Sequence, residues 1–338
     1  MWSKALKMER QMKLTLKLQL CGLALACISG VSNAWQPTGP IEVIVAAGPG
    51  GGNDKVARQL AKLLVEEKLV PTPVIVLNKP GAGGVIAQKY LNSRGGNAHY
   101  LMVTNPALIT NPITGIGDVN YKEVTPIAQL FTEYVILLGS NNSPKVKSIK
   151  DVLESWKMNP DDLTLGVAPA LAAGTHIGIA KAAMAAKIDP SKLRIIPYTT
   201  SGDVMTALMG GHIDLMASTP INVLPQLEDK LVKPLAITAP KRLGGSMAEV
   251  PTFKELGFDA VFGNWRGVVG PQGLKEEQVK YWDEVFEKLS VLPAWKKEIA
   301  EQQSEVMNMN STQSKAFLEE ENSALTQTLS QLGLSKKK

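Results

Sequence analysis

The stretch Ile41–Arg58 constrains this chain more than any other. Ile41-Glu-Val-Ile-Val-Ala-Ala47 is a short, β-branched apolar run of the kind that fills a buried parallel strand. It breaks into Gly48-Pro-Gly-Gly-Gly52-Asn53-Asp54, after which Val56, Ala57, Leu60, Ala61, Leu63 and Leu64 recur at helical spacing. Strand, glycine turn and helix in that order bring a helix N-terminus to the carboxyl end of a strand. Free N–H groups and the positive end of the helix dipole favour an anion there. Glycine lets the main chain approach a ligand where a Cβ would stand in the way. A tight turn with Asn53 or Asp54 as an ordinary N-cap explains the same residues equally well.

The same grammar recurs. Val74–Leu77 leads into Asn78-Lys-Pro-Gly-Ala-Gly-Gly84 and a helix over Val85–Leu91, and Tyr100–Val103 ends in Thr104-Asn105-Pro106. Two apolar runs, Val124–Phe131 and Tyr134–Gly139, follow with no helix between them, as if the chain leaves one lobe for another. Helix Ile149–Trp156 is predicted to start on a Ser148 cap. Three more strand-to-helix junctions come next, at Ala168–Gly174, Pro197–Gly202 and Ala217–Pro220, with helices over Thr175–Ala186, Asp203–Met209 and Ile221–Leu227. Leu235–Thr238 and Gly263–Val269 read as returning strands, and the tail carries amphipathic helical stripes. The expected fold is α/β, with strands alternating with helices over parallel sheets. At 338 residues the chain has room for two such lobes.

Charge excludes one class of partner. Residues 1–34 hold Lys4, Lys7, Arg10, Lys13 and Lys17 against Glu9, leaving 31 basic and 30 acidic side chains beyond them. A near-neutral body without a basic cluster gives no reason to expect nucleic acid. The first segment reads as a secretory signal. It has a basic start, an apolar core over Leu18–Val31, and small residues Ser32 and Ala34 three and one before Trp35, with cleavage expected after Ala34. Met8 and Met12 are alternative starts. The apolar run falls short of the roughly 18 residues of a membrane span, and Ala24-Leu25-Ala26 is a poor lipidation box for Cys27. Cys21 and Cys27 both lie in this segment, so the body has no disulfide, thiol nucleophile or thiolate metal site. The expectation is an exported, periplasmic protein.

Gly48–Asp54, Asn78–Gly84, Pro197-Tyr198 with Ser201-Gly202, Gly211-His-Ile-Asp214 and Pro251-Thr-Phe-Lys-Glu255, in that order and spacing, resemble the tripartite tricarboxylate transporter receptor family, also called Bug proteins. Asn264-Trp265-Arg266-Gly267 is similar to the branch associated with tricarboxylates. The resemblance implies a type II periplasmic binding protein: two α/β lobes, joined by two crossover strands, with a ligand cleft between them. It implies lobe 1 over residues 35–134 and 240–338 and lobe 2 over 135–239. Its implied function is a monomeric receptor, not an enzyme, that uses no cofactor or metal and hands a citrate-like di- or tricarboxylate to a membrane permease. By position, Gly50, Gly51, Gly52, Asn53 and Asp54, with Ala82, Gly83 and Gly84, would grip one carboxylate through backbone amides and water. Thr104 and Asn105 match a third loop, where Asn105 departs from the family's small hydroxyl residues. Ala46-Ala47 replaces a bulkier pair, which bears on ligand size. In lobe 2, Thr175 would donate to the distal end, with His176, Thr200, Ser201, Ser218 and Thr219 at neighbouring junctions.

Each residue also has a plainer role available. Asp54 suits a helix cap, Asp214 a brace within lobe 2, Trp265 the core, and His99 and His212 the starts of strands. Arg266 would either clamp a carboxylate or pair with an acid of its own lobe. The competing functions are an exported hydrolase or transferase, with Ser201 and His176 or His212 as its one constructible nucleophile–base pair, and a sensor subunit for a membrane kinase. No Gly-x-Ser-x-Gly turn or metal-spaced histidine pair supports the enzyme. A valine at Gly51 or Gly84 is expected to put a Cβ where the anion must sit.

Overall fold

In the computed structural model, the described residues are Trp2 and residues 35–336. The leader, with Cys21, Cys27, the alternative starts and the cleavage after Ala34, lies outside them, as do the last two lysines. The body from Pro37 onward is built on two sheets. Strands β1 (Ile41–Val45), β2 (Val74–Asn78) and β3 (Tyr100–Thr104) run parallel, linked by helices α1 (Gly52–Glu66) and α2 (Val85–Asn92). The β-branched run of β1 is almost wholly buried because strands flank it on both edges and α1 covers it.

Helix α3 (Ala107–Thr114) follows β3, a segment to which the sequence reading assigned no element, and Pro112 lies inside it. The helix tolerates the proline by being short, and it closes at Gly115, whose φ of 78° suits a C-terminal cap. Strand β4 (Val124–Tyr134) then runs almost directly into β5 (Ile136–Ser140) in the second sheet. There β6 (Thr164–Val167), β7 (Arg194–Pro197) and β8 (Leu215–Ser218) are parallel, and β5 is antiparallel to both β8 and β9 (Val232–Ile237). The helices of this part are α4 (Ile149–Met158), α5 (Gly174–Ala185), α6 (Ser201–Met209) and α7 (Pro220–Glu228). Ser148 accepts from the Asp151 amide at 3.3 Å, the cap its sequence announced.

The chain returns through β10 (Gly263–Pro271), which inserts antiparallel between β3 and β4. The tail holds helices α8 (Glu276–Val291), α9 (Pro293–Glu301) and α10 (Ser311–Gln331), with β11 (Glu305–Met309) on the outer edge of β4. Sequence periodicity missed β11 because polarity does not follow its alternating burial: Glu305 is on the more buried side and Val306 is exposed. The first sheet therefore reads β11-β4-β10-β3-β1-β2 and the second β7-β6-β8-β5-β9.

The two passages between the sheets are bonded to each other. Val135, the single residue between β4 and β5, donates its N–H to the Thr238 hydroxyl at 2.9 Å and accepts from the Thr238 N–H at 2.9 Å. The same hydroxyl donates to the Phe262 carbonyl at 2.8 Å, and Phe262 N–H returns to Thr238 O at 3.1 Å. One apolar cluster, including Ile44, Val135, Leu165, Ile177, Trp265 and Leu318, is continuous through both sheets. Trp265 belongs to that core at 1% exposure, its indole N–H donating to Glu321 at 2.9 Å. Asp214 braces the second sheet, accepting from Ser143 Oγ at 2.7 Å and Thr164 N–H at 3.0 Å. No helix among the described residues is long and apolar enough to cross a membrane.

Candidate functional site

Helix α1 opens without a side-chain cap. Its N-cap is Gly51, with φ −69° and ψ 161°, so the first-turn N–H groups are left for something outside the helix. Asp54 is not that acceptor. Its carboxylate lies beneath the turn, accepting from Gly50 N–H at 2.8 Å, Arg58 Nε at 3.0 Å and Asn78 Nδ2 at 2.8 Å. Burial pushes this carboxyl up, but the bonds from Arg58, Gly50 and Asn78 outweigh burial and hold it below the ordinary range. Asn78 also donates to Ala47 O at 3.0 Å, stitching the first glycine loop to the second. In that second loop Gly81, Ala82, Gly83 and Gly84 all have positive φ, and Asn111 Nδ2 holds the Gly83 carbonyl at 3.0 Å.

Helix α5 repeats the arrangement from the second sheet. Its N-cap Ala173 has the same φ of −69° and ψ of 161°, and again no side chain caps the helix. The helix is buried along most of its length, which its run of glycine and alanine permits. Thr175 spends its hydroxyl proton on Ala168 O at 2.9 Å, so toward a ligand it can only accept. Thr200 is likewise engaged, closing a capping box with Asp203 at the start of α6. Thr219, the N-cap of α7, accepts from Asn222 Nδ2 at 3.2 Å.

A cleft of about 70 Å³ separates these junctions. Of the residues singled out in the sequence, Gly51, Gly52, Asn53, Gly83 and Asn105 line it from the first sheet's loops. Thr175, Thr200, Ser201 and Thr219 line it from the second sheet's, and Arg266 stands between. Gly50, Asp54, Ala82, Gly84, Thr104 and Ser218 do not reach its wall; they shape or support the loops. His176 faces another cavity, of about 180 Å³, beside Leu193 and Leu332. Its Nδ1 accepts from Ala172 N–H at 2.8 Å, and burial lowers the imidazole to about 4.

Ideal Cβ positions separate the glycines. One on Gly51 would meet Ala47 Cβ and Gly48 O at 3.2 Å, and one on Gly84 would meet Ala46 Cβ at 3.1 Å. Both would crowd the alanine pair at the first loop's end of the cleft, so a larger side chain at either glycine must first displace loop atoms. A Cβ on Gly52 points into the cleft instead, 3.3 Å from both Arg266 and Asn222.

Of the two roles open to Arg266, the structure shows the pairing with an acid of its own half; which acid, and Lys55 beside it, was not legible beforehand. Arg266, 4% exposed, forms an ion pair with Glu133 of β4, which is fully buried. With its amide oxygen turned toward the guanidinium, Asn264 accepts from Arg266 at 2.9 and 3.2 Å. Lys55 Nζ reaches from α1 to Ile221 O of α7 at 2.8 Å, a direct bond between the two halves. Burial lowers the Lys55 ammonium against the pull of Glu133. Burial raises the Glu133 carboxyl against Arg266, the Thr219 hydroxyl and Lys55. One clue was available: Glu133 is a lone acid in an otherwise uncharged strand. Among the described residues, no group of three or more His, Cys, Asp or Glu side chains is placed to hold a metal.

Two helix N-termini without side-chain caps line one cleft from opposite sides, and the positive end of each helix dipole, roughly half a charge, favours an anion there. The family described as "Tripartite tricarboxylate transporter family receptor" matches residues 56–334. A Cupriavidus necator protein, "UPF0065 protein in gbd 5'region", is 30% identical over 301 residues, covering 89% of each chain. The periplasmic binding protein BugD superposes with a TM-score of 0.79 at 24% identity, over 89% of this chain and all of that one. R. palustris Rpa4515 with adipate superposes at 0.80 and 22% identity, over 88% and 99%. The fold is that of the periplasmic binding proteins, and the chain belongs to the tripartite tricarboxylate transporter receptor family of solute-binding proteins.

Proposed function

We propose that this protein is an extracytoplasmic receptor that closes on a small organic di- or tricarboxylate and delivers it to a tripartite tricarboxylate-type membrane permease. The observation that carries the reading is the pair of uncapped N-termini, α1 and α5, at one cleft. Backbone N–H groups of Gly52 and Asn53 take one carboxylate, and those of Gly174 and Thr175 take the other. Arg266, already paired with Glu133, adds a directional donor without leaving an unpaired buried cation in the empty protein. The lobes are residues 35–134 with 240–338, and residues 135–239, hinged where Val135 and Thr238 bond to each other. The adipate recorded in Rpa4515 supports a ligand with two carboxylates.

The protein works by binding and not by turnover. Ser201 lines the cleft, whereas His176 lines a different cavity and the exposed His212 is not part of the cleft lining, which counts against both pairings a hydrolase would need. Export through the N-terminal leader and docking of the closed form on the permease complete the reading. Thermal melting against a panel of organic acids tests it. Citrate, adipate or a related polycarboxylate should raise the Tm, as a ligand selective for the native state must; a flat response across the panel contradicts the proposal.

A further inference from the structure

Glu133 has no place in the carboxylate grip, yet it is the most deeply buried acid beside it. It is 0% exposed and ion-paired to the one arginine that lines the cleft. The groups facing it come from three elements. Arg266 and Asn264 belong to β10, Lys55 to α1, and the Thr219 hydroxyl to the start of α7. Glu305, on the neighbouring strand, is held by the Tyr134 hydroxyl at 2.5 Å. Lys55 donates to the Ile221 carbonyl and does not line the cleft, so Arg266 is the cation that Glu133 and a ligand in the cleft would share.

A dicarboxylate entering the cleft brings negative charge to the guanidinium that Glu133 already occupies. Two carboxylates then share Arg266, and Glu133 cannot turn to water because its side chain is fully buried on β4, between β11 and β10. Like charges sharing one buried site disfavour double ionisation, and one of the two carboxyls takes a proton. The ligand keeps its N–H donors from two helices, so the proton falls to Glu133. Thr219 lines the cleft and its hydroxyl lies on the Glu133 side of the wall.

We propose that Glu133 is the proton partner of ligand capture: as the acid closes onto Arg266, Glu133 takes up one proton from solvent. The receptor then carries its ligand together with H⁺, and Glu133 sets the charge state in which the acid is held. The inference rests on the carboxylate reading above, and the experiment distinguishes the failure of each.

Adipate and citrate are titrated calorimetrically at about pH 8, where both acids are ionised, in phosphate and in Tris, buffers of very different ionisation enthalpy. Proton uptake approaching one per ligand is expected, with affinity falling by up to about tenfold per pH unit as the pH rises through the transition. Glu133→Gln, the neutral isostere, should bind at least as tightly as the wild type at this pH, without the uptake and with a flat pH profile. Equal heats in the two buffers, or uptake unchanged in the variant, overturn the role of Glu133 while leaving the carboxylate reading standing. No binding of either acid to wild type overturns both. If the variant does not fold, equal wild-type heats in the two buffers still overturn the proposal, and uptake lost in Lys55→Gln would assign the proton to Lys55 and overturn it too.

Discussion

The two walls of the cleft solve the same problem by different means. In the first sheet's loops the main chain does the work. Gly81, Ala82, Gly83 and Gly84 hold positive φ, Gly51 caps α1 with no side chain, and Asp54 pulls the turn tight from below. In the second sheet's junctions hydroxyls and amides crowd the wall, but several are already spent. Thr175 donates to Ala168, Thr200 is locked to Asp203, and Thr219 accepts from Asn222. On the proposed reading both walls anchor through helix-start N–H groups; the first adds Asn53 and Asn105 beside its glycines, and the second surrounds its donors with hydroxyls of fixed orientation that would shape what is selected.

Gly52→Val should break the comparison outright. Its side chain enters the space between Arg266 and Asn222, and affinity should fall by about a hundredfold or more, about 2.7 kcal/mol, with little change in Tm. Gly51→Val, whose Cβ faces the loop, should instead cost stability first. Calorimetry and melting on both variants separate the two effects, and equal loss of affinity with unchanged Tm would contradict the assignment.

Asp54→Ala tests the scaffold under the first wall. It strips the Gly50, Arg58 and Asn78 bonds and should cost about 1–3 kcal/mol in denaturant unfolding. Since its carboxyl is held below the ordinary range, its contribution is complete above the unfolded value and is lost as the pH falls through the folded one. The variant should therefore lose least, relative to wild type, in acid; a constant deficit at all pH values would contradict the ionised role.

The smallest effect is expected in the second wall. Thr200→Ala removes an N-cap and should cost about 1 kcal/mol of stability. Ligand affinity should change less than about threefold, about 0.6 kcal/mol, because that hydroxyl already donates to Asp203. A large loss of affinity with unchanged stability would move Thr200 into the grip.

How far the sequence could be read follows from the same comparison. The glycine loops announced themselves because a strand, a glycine run and an amphipathic helix leave a local signature around Gly48–Asn53. The strand-to-helix junctions of the second sheet were legible for that reason too. The Glu133–Arg266–Lys55 layer was not, since its members come from β4, β10 and α1 and meet only when β10 inserts beside β4. The division of labour among the glycines was equally hidden, because the direction of a missing Cβ depends on backbone angles that spacing does not encode. Thr238, which ties the two passages between the sheets, looked like any strand-end threonine.

The central claim is that backbone N–H groups at two opposed helix starts hold the two ends of one organic acid. A crystal structure with citrate or adipate bound tests it most directly. The account predicts carboxylate oxygens about 2.8–3.0 Å from the Gly52 or Asn53 nitrogen at one end and the Gly174 or Thr175 nitrogen at the other. An acid bound outside this cleft, or held there by lysine and arginine side chains with both helix starts turned away, would contradict it.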